Sequence, residues 1–411
     1  MTQITRSHVQ DALGATGGLL RLEPAWVPRT FMHPGRRLRL HPDDLYALGA
    51  HRGGINERWF SSTTNADNGP GTPADEGLSY ARTGKGGRFL LKHAVETAGD
   101  LLLGSPVMDR ERGWNVLCKF FDNMGPIPHH MHQTDAQAKL VGRKGKPEAY
   151  YFPPQYNQIE NNFPYTFMGL EPGTTTHDVR RCLENWNKGD NGILYLSRAF
   201  KLQQGTGWQI DPGILHAPGS LVTYEPQVAS DVFAMFQSIV EGRAIDRSLL
   251  VKDVPQDKHN DLDFLVGLLD WDANVDPEFA KHNRVFPRPV QPFKATEPEG
   301  FREQWVCYGT GWYSAKELTI LPKRTVTITD KAAYGIILTQ GYGMFGSLHV
   351  STPAMIRFGD MTEDELFVSA EAAQKGVRIE NLSESDPLVI LKHFGPGNPD
   401  AEPLRQVRAR P

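Results

Sequence analysis

The sequence places two histidines and a carboxylate in an order that suits a metal ion. His130 and His132 are separated by one residue, and Glu148 follows a segment that contains Gly145 and Pro147. Side chains alternate between the two faces of a β-strand, so both imidazoles point to one side if this segment is extended. Glycine and proline are typical of turns, and Glu148 then opens an aromatic segment typical of a strand. We therefore expect a β-hairpin that returns the carboxylate to the imidazoles.

A third histidine, His216, extends this set. It lies in the segment Gly213–Ala217, whose pattern predicts a turn followed by a short apolar strand. Imidazoles and a carboxylate together are the ligands of catalytic first-row metals, which keep a position open for water or substrate. We predict that His130, His132, Glu148 and His216 bind a divalent metal. His129 points to the opposite face of the strand, so we expect it at most to contact a ligand and not to bind the metal.

Lys119 is a cation in an otherwise apolar strand. The segment from Trp114 to Phe121 is apolar and aromatic apart from Asn115 and Lys119. Two interpretations stay open. The ammonium group either reaches water at the end of the strand, or it lines a pocket beside the histidine pair.

Several features of the whole chain predict how these residues are positioned. With 411 residues the chain is too long for one ordinary core, which favours two domains. Its 40 glycines and 30 prolines are spread along the whole length and predict many turns between short strands. The fold class is therefore expected to be mainly β.

The pattern along the chain divides it into five segments. We expect an N-terminal arm at 1–34, a metal-binding β domain at 35–240 and a charged helical connector at 241–297. A second β domain at 298–397 has no pair of histidines one residue apart, and 398–411 is expected to be a loose tail. The metal site should therefore lie in the first β domain.

Charge and composition argue against several function classes. The net charge of −4 does not favour binding to nucleic acid, which needs a concentrated basic surface. The three cysteines are far apart in the sequence and form no Cys-x-x-Cys pair, as expected in a reducing cytoplasm. No apolar run suits a signal peptide or a membrane span. We expect a cytoplasmic protein without membrane partners.

Several short motifs follow one another in an order that resembles type I mannose-6-phosphate isomerase, a family of the cupin superfamily. In that family a strand with a lysine is followed by a Q-x-H pair, Gly-Lys-Thr-Glu, Gly-x-x-His-Ala, Glu-x-Gln and Ser-Asp. The corresponding segments here are Leu117–Phe120, His130–His132, Gly145–Glu148, Gly213–Ala217, Glu225–Gln227 and Ser230–Asp231. The resemblance implies two cupin domains, which are jelly-roll β-barrels, with helical insertions and the metal site in the first.

The resemblance also implies an activity. It suggests a metal-dependent aldose–ketose isomerase that moves a proton between C1 and C2 of an open-chain sugar or sugar phosphate through an enediol. Lys146 and Glu225 are then the candidates for proton transfer, and Lys119 is a third catalytic candidate. Asp231 is the fourth catalytic candidate, and we expect it to accept the outer N–H of a metal-binding histidine. Zinc is the expected metal, with manganese, iron or nickel as alternatives.

Two positions depart from the family pattern. His130 stands where the family has glutamine, and Met235 stands where it has a catalytic arginine. The substrate therefore stays open between a free sugar and a sugar phosphate, and a homodimer is included among the expected assemblies. An iron dioxygenase of the cupin type and a non-catalytic sugar-binding cupin are the alternative functions.

Overall fold

The computed structural model describes residues 4–83, 86–123, 125–157 and 164–404. Strands predominate over helices in their regular structure, and most of the helices are short, which confirms the expected mainly β fold class. In chain order the strands are β1 Leu19–Arg21, β2 Ala25–Arg29, β3 Gly54–Phe60, β4 Tyr80–Arg82, β5 Arg88–Leu90, β6 Val116–Phe121, β7 His130–Met131, β8 Glu148–Tyr151, β9 Tyr165–Leu170, β10 Ser197–Lys201, β11 Gly207–Ile210, β12 His216–Ala217, β13 Thr223–Val228, β14 Ala234–Met235, β15 Ile239–Val240, β16 Arg243–Ala244, β17 Arg284–Val285, β18 Arg288–Pro289, β19 Phe301–Cys307, β20 Ser314–Ile320, β21 Thr325–Ile328, β22 Tyr334–Gln340, β23 Tyr342–Phe345, β24 Leu348–Ser351, β25 Glu365–Val368, β26 Val377–Asn381 and β27 Leu388–Phe394.

The helices are mostly short. They are α1 Arg6–Thr16, α2 Leu91–Leu103, α3 Ser105–Glu111, α4 Asp135–Lys139, α5 Thr176–Glu184, α6 Ser248–Val251, α7 Leu262–Val266, α8 Trp271–Asn274, α9 Phe279–Asn283, α10 Phe293–Thr296 and α11 Ala370–Lys375.

The first barrel is built from two sheets. One has seven strands in the order β17-β11-β8-β13-β6-β3-β2, and the other has five in the order β10-β9-β12-β7-β14. Every strand pair in these sheets is antiparallel. Helices α5 to α7 pack against the outside of the five-stranded sheet, around a cluster that includes Val179, Leu183, Leu250 and Leu265.

The second barrel repeats this plan. It pairs a seven-stranded sheet, β1-β25-β22-β27-β20-β19-β18, with a four-stranded sheet, β21-β26-β23-β24. Apolar side chains from both sheets fill its interior, among them Leu318, Ile336, Phe345, Ile379 and Ile390.

The N-terminal segment is not the separate arm expected from the sequence. Strand β1 pairs with β25 in the second barrel, and β2 pairs with β3 in the first. The two strands are separated by three residues, so this segment ties the barrels together. Strands this short contain too few residues to show an alternating pattern, which explains why the sequence of this segment has no clear period.

The connector and the tail are also integrated into the fold. The connector contributes β17 to the first barrel and β18 to the second, besides its helices. The tail was expected to be loose, but Ala401 and Leu404 are buried against Val285, Trp305 and Tyr308. The rest of the predicted tail, 405–411, lies outside the described residues.

Buried polar contacts join the barrels. Arg58 on β3 reaches Asp364 at 2.7 Å and Glu365 at 3.3 Å, and all three side chains are at most 2% exposed. His393 on β27 and the hydroxyl group of Tyr224 on β13 share a hydrogen bond of 3.1 Å. The two barrels therefore share an interface with buried polar side chains.

Two further findings concern the cysteines and the length of the helices. All three cysteines are buried, and none forms a disulfide. Within the described ranges, no helix combines the length and the apolar character that crossing a membrane requires.

Candidate metal centre

Three histidines converge inside the first barrel from neighbouring strands of the five-stranded sheet. His216 on β12 is paired directly with His130 on β7, so their side chains share a face. His132 lies two residues beyond His130 and points to the same side, as the alternation of side chains predicts. One ligand nitrogen from each ring lies within 4.8 Å of the other two.

Backbone carbonyls fix the orientation of each ring. The Nδ1 atom of His130 lies 2.7 Å from the oxygen of Pro128, and that of His132 lies 2.7 Å from the oxygen of Val232. The Nδ1 atom of His216 lies 2.8 Å from the oxygen of Ile214. A carbonyl only accepts, so each Nδ1 carries the proton and each Nε2 presents a lone pair to the centre.

Glu148 faces these rings from the opposite sheet. Its Oε2 atom lies 2.9 Å from Nε2 of His132, and its Oε1 atom lies 3.1 Å from Nε2 of His216. Glu148 belongs to β8, which pairs with β11 and β13, so β7 and β8 do not form the expected hairpin. The side chains of Glu148 and of the histidines both point into the barrel, so the carboxylate reaches the imidazoles across its interior.

The donor set fits a divalent metal. Among the described residues, Nε2 of His132 and Nε2 of His216 are buried without a hydrogen-bond partner, and both face the carboxylate of Glu148. Such buried lone pairs are unfavourable unless a cation or a donor meets them. The hydroxyl of Tyr150 donates to the other carboxylate oxygen of Glu148 and fixes its orientation.

The protonation states of the histidines and of Glu148 also suit a metal. Burial lowers the pKa of His132 to about 4 and that of His130 well below its ordinary value, so both rings are neutral at pH 7. Burial alone would raise the pKa of Glu148, but His132 and Lys146 outweigh it and hold this pKa well below its ordinary value. Neutral imidazoles and an ionised carboxylate are the forms that bind metals.

Next to this centre, buried cations and carboxylates alternate in a row that we call the charge chain. The Nζ atom of Lys146 lies 3.2 Å from Glu148 and 3.7 Å from Oε1 of Glu225. The Nζ atom of Lys119 lies 3.3 Å from the same oxygen of Glu225 and 3.5 Å from Glu57. Lys119 therefore lines the interior and does not reach water at a strand end.

The charge chain continues to the edge of the sheet. Arg29 on β2 lies 2.8 Å from Glu57 and 3.2 Å from Asp231. Strand register explains the grouping, because Glu225 is paired directly with Lys119, and Gln227, two residues on, with Glu148. Directly paired residues share a face of an antiparallel sheet. All of these side chains therefore project into one interior.

Glu225 has a strongly altered acidity. Burial, with a further contribution from Glu148, raises its pKa to about 8 despite Lys119 and Lys146. Glu57 behaves differently. Burial opposes its ionisation, but Arg29 and Lys119 lower its pKa to about 2. A carboxyl group poised near neutral pH beside a metal-type centre is suited to proton transfer.

Asp231 does not make the expected contact with a ligand histidine. The outer nitrogen of all three rings is bonded to backbone carbonyls, and the carboxylate of Asp231 binds Arg29 instead. Burial would raise the pKa of Asp231, but Arg29 and Lys252 lower it strongly. A catalytic role for Asp231 stays a prediction.

Three residues of the site were missed from the sequence: Arg29, Glu57 and Tyr150. Arg29 ends the short segment Ala25–Arg29 and was assigned to the arm. Glu57 and Tyr150 could have been found from the alternation of side chains along a strand, because each lies two residues from another side chain that points inward. Nothing in the sequence pairs Arg29 with Glu57.

The charge chain and the metal centre line one small cavity of about 40 Å³, which is room for a few water molecules. Phe31 and Ile127 are its half-buried lining residues, and the other lining residues are buried. We therefore infer that the cavity opens beside Phe31 and Ile127, the lining residues with the most exposure.

Comparison with solved structures reveals the same fold in known enzymes. Mannose 6-phosphate isomerase from Bacillus subtilis has a TM-score of 0.57 and 14% identity, covering 92% of this chain and 99% of its own. An arginine-to-alanine variant of phosphomannose isomerase from Salmonella typhimurium has a TM-score of 0.58 and 12% identity, covering 92% and 100%. The chain has the fold of these isomerases.

A zinc-bound mannose 6-phosphate isomerase gives the same values, with a TM-score of 0.58, 12% identity and 92% and 100% coverage. At such low identities the similarity establishes the fold and leaves the activity open. No protein-family model matches the sequence, and no curated protein matches it.

Proposed function

We propose that the protein is a metal-dependent aldose–ketose isomerase that acts on an open-chain sugar. The observation that supports this best is the position of Lys146 and Glu225. Both lie inside a barrel of the isomerase fold, beside three buried imidazoles and an ionised carboxylate.

In this proposal His130, His132, His216 and Glu148 hold the metal, with zinc as the first candidate. A divalent ion held there supplies Lewis-acid stabilisation of the negative charge that develops on the carbonyl and hydroxyl oxygens of the sugar. The orientation of the rings by backbone carbonyls means that little reorganisation is needed when the ion binds.

Glu225 and Lys146 divide the work of proton transfer. The carboxylate form of Glu225 removes the proton from C2 of an aldose and returns it to C1, while Lys146 gives a proton to O1 and takes up the hydroxyl proton of O2, so that the isomerisation balances without any other reactant. Lys146 lies between Glu148 and Glu225 and can donate to the adjacent sugar oxygen. Lys119 stabilises the ionised form of Glu225 from the other side. Such positioned acid–base groups typically contribute about 10²–10⁴-fold in rate.

Substrate entry requires part of the lining to move apart, because the cavity holds only about 40 Å³. Phe31 and Ile127 are the residues at its opening. Since neither takes part in the charge chain, their movement would admit a sugar without breaking an ion pair.

The decisive test is proton exchange. The purified protein, loaded with zinc, is incubated in deuterated water with a panel of free and phosphorylated aldoses and ketoses, and deuterium at C1 or C2 is read by NMR. We expect incorporation with one sugar or a few closely related sugars. If the protein contained iron, consumed oxygen with an organic substrate and exchanged no sugar, a cupin dioxygenase would replace the isomerase proposal.

A further inference from the structure

Every cation that lines the cavity lies between two carboxylates. Arg29 contacts Asp231 and Glu57, Lys119 contacts Glu57 and Glu225, and Lys146 contacts Glu225 and Glu148. Acidic and basic side chains therefore alternate along the chain, with an acidic side chain at each end. No lining cation among the described residues is left to neutralise an anionic ligand.

The end of the charge chain farthest from the histidines has a fully paired cation. Arg29 lies between Asp231 and Glu57. The pKa of both carboxyl groups is lowered below its ordinary value, despite the opposing effect of burial, so both are ionised at neutral pH. A phosphate group placed here would have to displace one of these carboxylates from Arg29.

The nearest further cation is also paired. The ammonium group of Lys252 lies 3.2 Å from Asp67 and 3.5 Å from Asp253, and it donates to the backbone oxygen of Asp231 at 3.1 Å. Lys252 therefore has carboxylates of its own and adds no free positive charge at this end.

The opening of the cavity is uncharged. Phe31 and Ile127 lie at the opening, and Asn123 and Pro218 complete the uncharged part of the lining with Phe121 and Tyr150. An anion that entered between the apolar residues would lose its hydration and gain no paired cation on the way, which is costly.

A polyhydroxylated neutral ligand suits these surroundings. Each hydroxyl group can donate to a carboxylate oxygen and accept from an ammonium or guanidinium group, so alternating charges match alternating donors and acceptors. Glu225 is one such position, because its Oε1 atom is an acceptor that lies 3.3 Å from Nζ of Lys119 and 3.7 Å from Nζ of Lys146.

We propose that this cavity selects an unphosphorylated sugar and excludes its phosphate ester. The inference rests on the proposed isomerase function for the identity of the reaction, but the preference for a neutral ligand follows from the charge chain. Specificity of this kind comes from a repulsive element as much as from attraction.

Binding of an unreactive ligand pair tests the proposal separately from catalysis. Calorimetry on the zinc-loaded protein compares a hexitol with the same hexitol 6-phosphate, chosen for the sugar that exchanges deuterium, or mannitol if none does. We expect the neutral hexitol to bind more tightly by about tenfold or more, since like charges across an interface are strongly unfavourable. Tighter binding of the phosphate, or binding of neither compound, would overturn the proposal.

The substitution Glu57→Gln gives a second measurement. It removes a negative charge between Arg29 and Lys119 and should bring the affinities for the two hexitols closer together by about tenfold. Glu303→Gln is the matched control, because Glu303 lies 3.6 Å from buried Lys316 in the second barrel, away from the cavity. Circular dichroism and zinc content establish that both variants are folded. An unchanged ratio in a folded Glu57→Gln protein would contradict the assignment.

The outcomes separate the two proposals. Deuterium exchange with a sugar phosphate alone would leave the isomerase function standing and overturn the substrate class inferred here. Hexitol binding without exchange of any sugar would refute the isomerase function and leave the preference for a neutral ligand intact.

Discussion

The three candidate ligand histidines of the first barrel are held in one orientation by hydrogen bonds to backbone carbonyls. The Nδ1 atoms of His130 and His216 each bond to a carbonyl two residues earlier, and that of His132 bonds to Val232. Because the outer nitrogens are satisfied, the inner nitrogens are available as ligands without a conformational change.

Removal of one imidazole should therefore remove the metal. We expect His132→Ala to lower zinc affinity by more than about a hundredfold, because loss of a ligand lowers metal affinity more than loss of a residue that hydrogen-bonds to a ligand. Zinc content by mass spectrometry and competition with a chelator measure this. His177→Ala is the control, since His177 is exposed near the start of α5. Unchanged affinity in His132→Ala would refute the assignment.

Lys146 offers a test of the proton-transfer proposal. Lys146→Met keeps much of the side-chain volume but removes the ammonium group between Glu148 and Glu225, and we expect exchange at saturating zinc to fall by about 10²–10⁴-fold. Lys144→Met is the matched control from the same loop, where the lysine is exposed and lies 3.1 Å from Asn115. Equal rates in the two variants would eliminate Lys146 from the mechanism.

Among the elements, the N-terminal strands have a larger role than their length suggests. Strand β1 closes one edge of the second barrel, and β2 closes one edge of the first while delivering Arg29 to the charge chain. A short edge strand protects the hydrogen-bonding groups of the strand beside it.

Truncation can separate the strands from the helix that precedes them. A chain beginning at residue 18 loses only α1, whose buried Val9 and Ala12 pack on the shared core, and should fold with reduced stability. A chain beginning at residue 31 also loses β1 and β2 and exposes β3 and β25, so we expect it to aggregate. Size-exclusion chromatography and thermal unfolding compare the two. A monomeric, cooperatively unfolding shorter chain would contradict this prediction.

For the whole molecule, the interface between the barrels combines buried charge with buried neutral groups. Arg58 is held by Asp364 and Glu365 from the second barrel. Gly335 lies so close to His393 that an added Cβ would come within 2.2 Å of its Nε2 atom, which explains the absence of a side chain there.

Breaking the ion pair should destabilise both barrels. Arg58→Met leaves two buried carboxylates without their cation, and we expect a loss of about 3–5 kcal/mol in the free energy of unfolding. Arg302→Met is the control, because its pair with Glu297 is half exposed and should contribute at most about 1 kcal/mol. Urea unfolding measures both. Similar losses in the two variants would show that the interface pair has no special role.

His393 predicts a dependence of stability on pH. Burial lowers its pKa from 6.5 to about 3, so the folded state holds the neutral ring while the unfolded chain binds a proton below pH 6.5. Its contribution to stability is therefore complete above pH 6.5 and is lost as the pH falls toward 3, by at most about 5 kcal/mol.

Urea midpoints between pH 7.5 and 4 check this prediction. In His393→Gln the decline of stability with falling pH should be shallower than in the parent protein, although the variant is less stable at pH 7.5. A parallel decline in both proteins would assign the acid sensitivity to other groups, such as His129, whose pKa burial lowers to about 3.

Local rules of the chain determined much of the candidate site. The period of two along a strand was enough to place His130 and His132 on one face, and the residue types of Glu148 and His216 identified the kind of ligand set. Lys119 stood out because a cation in an apolar strand needs a partner. The turn-rich composition was enough to predict a mainly β chain, since turn residues act within a few positions of each other.

Only the tertiary structure decided which strands meet. Glu148 faces the histidines across the barrel and not along a hairpin, and Asp231 binds Arg29 from a segment that was predicted to be an arm. Pairing between strands far apart in sequence depends on the register and closure of whole sheets, which no local pattern encodes. The compensation of every lining cation by two carboxylates arises at that level, because it depends on side chains from five different strands and the loops beside them.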